Sequence, residues 1–335
     1  MNRILAPVLF CALLSAPLNA ANVPFVSDED ELDTGTALRD SGPREMTDDD
    51  IEDMRAAVNG GRDPDDFEVP RAPEATEESP EKKITSPAVW KDVQAKAQQG
   101  DAEAFYILGM CYTMGHPLPR DLEKAYKFFF TAARKNHKPA MFFAARCLEM
   151  EIGIKTPEDR EAAFKTIIPQ YYGFAAAAGS ADAAYHLGRF LKYTSGSYGE
   201  RAIQQSVARH FREATEKGHA AAQYELALSY RNGEGLPKLR KLSFKILRVS
   251  AEQGYGKAQF DLGLRYAAGD FRVPQDRVEA YAWIATAIFN GIADDTWALA
   301  NLKNQLTAAD LEIAKKRAAE YIANYKAESV ANPLL

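Results

Sequence analysis

Residues 222–235 read Ala222-Gln-Tyr-Glu-Leu226-Ala-Leu-Ser-Tyr230-Arg-Asn-Gly233-Glu-Gly235, and the register of this stretch decides the fold. The same register starts again at Ala104, Ala140, Ala183 and Ala258, so that successive copies lie 36, 43, 39 and 36 residues apart. Two places on stands an aromatic (Tyr106, Phe142, Tyr185, Tyr224, Phe260), and four places on Leu108, Ala144, Leu187, Leu226 or Leu262. Five places on the residue is small (Gly109, Ala145, Gly188, Ala227, Gly263), and eight places on it is large again (Tyr112, Leu148, Leu191, Tyr230, Tyr266). Offsets of zero, four, five and eight share one face of an α-helix. The small residue at offset five predicts close approach of a neighbouring helix.

Each copy carries a second helix. Gly115, Gly233 and Gly269 follow the offset-eight tyrosine by three residues and suit the left-handed turn that ends the first helix. Pro119-Arg120-Asp121 and Pro274-Gln275-Asp276 then supply a rigid turn and an Asp N-cap, with Asp276 and Glu279 spaced as a capping box. Gly179, Gly218, Gly254 and Gly291 close the second helices, and Asn136 takes that role in the first copy.

The pattern, in Ala222–Gly235 and in Ser250-Ala-Glu-Gln-Gly254, resembles the Sel-1-like repeat family over residues 88–326. The resemblance implies an all-α, right-handed α/α superhelical solenoid of about five helix-pair repeats with terminal capping helices, related to tetratricopeptide arrays. A period of 36 to 43 residues fits that architecture independently. One helix pair cannot bury its apolar face alone, so stacking supplies the core and the ends need caps. Pro87–Gln99, with Val89, Trp90 and Val93, reads as the N-terminal cap. Trp297, Leu299 and Leu302 begin a terminal helix, and Thr307 starts a last one through Tyr325 with Leu311, Ala314, Ala318 and Ile322 on one side. Pro169 should break or kink the second helix of copy two.

Outward from the repeats the composition changes. Residues 22–85 hold 20 Asp/Glu against 7 Lys/Arg, whereas residues 86–335 hold 33 Lys/Arg against 27 Asp/Glu. An acidic segment of net −13 therefore precedes a body of net +6. Its few aromatics and repeated acidic clusters make disorder the expectation for 22–85, with a short helix over 47–59 carrying Ile51, Met54 and Val58. Met1–Ala21 has the charge, short apolar core and small-residue end of an export signal. Cys11 lies inside that apolar core behind Phe10, which argues against a lipid anchor. The expectation is a periplasmic or secreted chain with no integral membrane span once the signal is removed. A hydrophobic fraction of 46% and 26% charged residues exclude a wholly disordered or fibrous protein.

The residues offer little chemistry. His116, His137, His186, His210 and His219 lack zinc-motif spacing, and HExxH, P-loop and GxSxG sequences are absent, so no cofactor or metal is expected. Ser79-Pro-Glu-Lys82 matches Ser-x-x-Lys by letter, but it stands in the acidic segment with no core to position it. Cys111 and Cys147 both occupy offset seven. Equivalent positions on packed helices lie ~8–10 Å apart and a disulfide needs Cα atoms within ~7 Å. Facing thiols in an oxidising compartment can pair, and otherwise they are two small buried hydrophobes.

By analogy with tetratricopeptide arrays, offsets two, six and nine of the first helices face the concave side. The central repeats then present Arg146, Tyr185, Arg189, Lys192, Tyr224 and Arg231, a basic and aromatic groove suited to an envelope protein or an acidic peptide. The chain's own acidic segment is a competing occupant. The small basic excess and the export signal argue against nucleic acid. The resulting expectation is a non-enzymatic protein–protein interaction scaffold or regulator. The alternative is a cell-wall-linked enzyme that binds or hydrolyses β-lactams, which cysteine-rich relatives suggest and which needs a buried nucleophile beside a base.

Overall fold

The recurrent alanine marks the point of closest packing in every copy: Ala104 is 2% exposed, and Ala140, Ala183, Ala222 and Ala258 are fully buried. A computed structural model describes residues 69–71, 87–195, 201–269, 273–292 and 296–325. The expected export signal, the 47–59 helix and the Ser79–Lys82 sequence lie outside the described residues. Among them every regular element is helical.

Helix α1 (Pro87–Gln98) caps the array. Five hairpins follow: α2 (Ala102–Met114) with α3 (Leu122–Arg134), α4 (Lys138–Glu149) with a composite helix, α7 (Ala181–Ser195) with α8 (Arg201–Glu216), α9 (Ala220–Asn232) with α10 (Arg240–Glu252), and α11 (Gly256–Ala268) with α12 (Arg277–Phe289). The composite helix is α5 (Pro157–Ala162), a π turn over Ala163–Ile167, and α6 (Ile168–Ala177). Helices α13 (Thr296–Gln305) and α14 (Ala308–Asn324) close the array. Each hairpin packs internally and against the next, and α14 lies on α12, giving an α/α solenoid.

The small offset-five residue does what its size predicts. A Cβ built on Gly109 would fall 2.5 Å from the Phe129 ring, on Gly188 2.8 Å from Phe211, and on Gly263 2.6 Å from Ile284. The second helix of each of these hairpins is seated in that gap, with Phe129, Phe211 and Ile284 fully buried.

Caps set the boundaries. The amides of Ala104, Ala140, Ala183 and Ala222 donate to Asp101 Oδ1, His137 Nδ1, Ser180 Oγ and His219 Nδ1 at 2.7–3.1 Å. Gly115, Gly233 and Gly269 adopt the left-handed conformation expected of them, and Asn136 does so at φ 66°. Asp276 accepts from the Val278 and Glu279 amides. The expected capping box does not close, because the Glu279 carboxylate accepts from Arg317 and Tyr321 of α14. A reciprocal box forms instead at Thr156 and Asp159, which the sequence reading missed.

Pro169 does not break the chain's helical course. Having no N–H to donate, it follows a helix that widens into the π turn and then continues as α6. At the ends, Val93 and Leu302 are buried as expected, whereas Val89 is 36% and Trp297 75% exposed.

Candidate functional site

A cleft of about 710 Å³ opens where the ends of the first helices of repeats two and three meet the irregular second helix of repeat two. Its lining combines Glu149 from α4, Arg160 and Phe164 from α5 and the π turn, Arg189 and Lys192 from α7, and Glu225 from α9. The π turn brings Phe164 to the cleft, 5.9 Å from Phe190, with the Arg160 guanidinium 4.8 Å over its ring. Arg160 also donates to Glu151 at 2.8 Å. Tyr193, 87% exposed, stands at the margin. The sequence reading passed over Arg160, Phe164 and Tyr193, and the displaced period and Pro169 were what marked copy two as irregular.

The cations of the expected groove are present but mostly neutralised. Arg146 donates to Glu149 at 2.7 Å, and Glu149 also accepts the Tyr172 hydroxyl at 2.6 Å. Lys192 reaches across to Glu225 of the next repeat at 3.0 Å. Arg231 does the same to Asp261 at 3.2 and 3.3 Å. The expected basic groove thus carries one ion pair within a helix, Arg146–Glu149, and two that tie repeat to repeat, Lys192–Glu225 and Arg231–Asp261. Arg189 differs. It is exposed, its guanidinium lies 5.6 Å over the Tyr185 ring, and among the described residues no carboxylate lies within ion-pair distance.

Offset two serves the stacking of repeats more than the groove. Tyr185 is 9% exposed and its ring centroid is 4.5 Å from that of His219, the N-cap of the next repeat. Tyr106 meets His137 in the same way at 4.9 Å. Tyr224, half-buried, packs on Tyr255 at 5.5 Å. Burial raises the phenol pKa of both Tyr185 and Tyr224. In repeat one the offset-six and offset-nine residues, Met110 and Thr113, are also buried, which takes them out of any open surface.

Burial favours the neutral forms of Cys147 and His186. Cys111 and Cys147 are fully buried thiols that form no disulfide, and burial pushes Cys147 up to about 12. His186 is 5% exposed, and burial together with the Arg146 and Arg189 charges pushes its imidazole down to about 2. Among the described residues no group of three His, Cys, Asp or Glu side chains is placed to hold a metal ion.

With this geometry in view, the likeness to known proteins is informative. The family model of the Sel1 repeat matches residues 102–137, 138–165, 220–255 and 256–288. The hairpin of α7 and α8 falls outside those matches and repeats their architecture. No curated protein matches the chain in sequence. Among solved structures, the chain is similar to a protective antigen present in uropathogenic Escherichia coli strains that displays an SLR fold. The identity is 26% and the TM-score 0.60, with 70% of this chain and 48% of that chain covered. It thus spans about half the length of the antigen. It is also similar to a Sel1 repeat protein from Oxalobacter formigenes, at 22% identity and a TM-score of 0.54, covering 70% of this chain and 96% of that chain. The second likeness is one of fold.

Proposed function

We propose, from the premise that this is a Sel1-repeat protein, that it is an exported, non-enzymatic scaffold or regulator that holds an acidic segment of an envelope protein in the cleft beside Arg189. Proteins built of these repeats typically mediate protein–protein interaction. The observation that carries the finer reading is Arg189 itself. The other groove cations already have carboxylates, so an incoming carboxylate finds at Arg189 a guanidinium without one, held in place by the Tyr185 side chain. A guanidinium fixed on an aromatic face presents a rigid fork, which suits bidentate recognition of a carboxylate. Phe164 and Tyr193 supply apolar area beside it. Export rests on the Met1–Ala21 pattern.

The test is quantitative affinity capture from an envelope extract, comparing the native chain with Arg189→Glu and with Arg189→Glu/Arg231→Glu. A protein retained by the native chain and lost from Arg189→Glu supports the reading, with Arg231→Glu adding less because that residue is engaged with Asp261. An identical catch from all three removes it.

A further inference from the structure

Two glutamines one repeat apart perform the same task. Gln223 and Gln259 both follow the recurrent alanine by one place, and both are fully buried. In repeat five, Gln259 Nε2 donates to the main-chain carbonyl of Tyr325 at 3.1 Å. Asn290, the C-cap of α12, donates to Gln259 Oε1 at 2.8 Å and to the same Tyr325 carbonyl at 2.9 Å. In repeat four, Gln223 Nε2 donates to the carbonyl of Pro70 at 2.5 Å, and Gln253, the C-cap of α10, donates to Gln223 Oε1 at 2.6 Å. A carbonyl only accepts, so each glutamine must turn its NH₂ outward and its oxygen to the second amide. The arrangement is a two-amide clamp for the backbone of a chain segment crossing the repeat. Repeats one to three have Phe105, Met141 and Ala184 at the glutamine position and cannot build it.

The occupants differ in kind. Repeat five is filled by the end of α14, which belongs to the folded array. Repeat four is filled by three residues of the acidic segment. Val69 is buried, and the Arg71 guanidinium, on a side chain still 62% exposed, meets Glu252 at 2.5 Å. Glu252 is oriented for this by Arg248 at 2.8 Å. Alternate side chains of an extended segment face the same way, so the site reads an apolar residue and a basic residue two places apart. The proline between them fixes its own φ, which lowers the cost of ordering the segment. Within its described residues the acidic segment therefore meets the repeat through a cation, Arg71. Residues 72–86, which join Arg71 to α1, can reach ~50 Å by length alone, so attachment within one chain is open to them.

We propose that repeat four carries a receptor for an extended apolar–proline–basic segment, held shut in the resting chain by Val69-Pro70-Arg71 and open to a partner's segment of the same chemistry once that strap is displaced. Gln223, oriented by Gln253, reads backbone without regard to sequence, while Glu252 and the Val69 site select the flanking side chains. The receptor shares no residue with the cleft around Arg189, so either reading can fail alone.

The experiment uses a fluorescent synthetic peptide with the sequence of Asp66–Glu74 and the full chain, read by anisotropy. A tethered occupant competes at an effective concentration of about millimolar, so the native chain should bind the free peptide weakly. Arg71→Glu, on an exposed side chain, should loosen the strap and tighten peptide binding by about tenfold, the scale of one charge-assisted hydrogen bond. Arg71→Glu/Glu252→Arg should abolish binding, because the reversed pair closes the strap again and repels the peptide's arginine. Equal affinity for native and Arg71→Glu chains, peptide binding by neither, or binding unchanged by Glu252→Arg would each overturn the proposal. Matching melting curves for the three chains, measured first, tie any difference to the site and not to folding.

Discussion

His219 Nε2 lies 3.2 Å from Asp182 Oδ1, one repeat earlier, while Nδ1 of the same ring accepts the Ala222 amide. The backbone amide can only donate, so the ring's proton sits on Nε2 and points at the carboxylate. His137 is held identically between the Ala140 amide and Glu103. One imidazole thus starts a helix and fastens it to its predecessor. His219→Ala is expected to cost about 1 kcal/mol, the usual worth of an N-cap. His219→Asn should recover most of that while leaving Asp182 unengaged. Urea denaturation midpoints of the three chains decide it, and an alanine variant as stable as the native chain removes the capping role.

Gly188 and Phe211 make a steric prediction. With a Cβ only 2.8 Å from the ring, Gly188→Val must push α8 away, and overpacking of this kind costs about 1–3 kcal/mol. Phe211→Ala removes the obstacle at its own cost of about 3–5 kcal/mol. The double variant should be less unstable than the two single losses added together, and additive losses would show that the two residues do not compete for the same space.

Acid should weaken the fold through His186. Its folded value of about 2 lies below the ordinary 6.5, so between those limits the unfolded chain binds a proton that the folded chain refuses. Stability from this residue is unaffected above pH 6.5 and falls below it, by about 1.4 kcal/mol per pH unit. His186→Phe should flatten the profile of unfolding free energy between pH 6.5 and 5. A slope equal to that of the native chain would count against the buried neutral ring.

Arg146 and Glu149 are 12% and 21% exposed, and Tyr172 adds its hydroxyl to the same carboxylate. Removing one member strands a nearly buried charge, so Glu149→Gln is expected to lose about 3 kcal/mol. Replacing both, as in Arg146→Met/Glu149→Met, should restore most of it. Thermal unfolding of the two variants checks the order, and a double variant less stable than the single one would refute it.

The repeats were legible because their determinants are periodic. Ala222, Leu226 and Tyr230 advertise a helix face, Gly188 advertises a close neighbour, and Gly233 advertises a stop. Each is a local rule repeated often enough to stand out. The cleft was less legible. Phe164 reaches it only because Pro169 forces a wider turn upstream, and no periodic reading foresees which way a residue in such a turn will point. The groove charges were placed correctly on their helices, but Lys192 meets Glu225 and Arg231 meets Asp261 across about thirty positions of sequence. That pairing is a property of how hairpins stack, not of either helix alone. The clamp at Gln223 was invisible for the same reason, since its partners Pro70 and Gln253 come from 153 positions before it and 30 positions after it.

Helix α14 has one more bearing on the array. By resting on α12 and placing the Tyr325 carbonyl against Gln259 and Asn290, it plugs the face on which a sixth hairpin would sit. Growth of such a protein by duplication is therefore directional. A spare copy spliced in ahead of Gly256 would meet on either side the hairpin faces that α10 and α11 now present to each other, whereas one added behind Ile292 finds the berth already taken by α14.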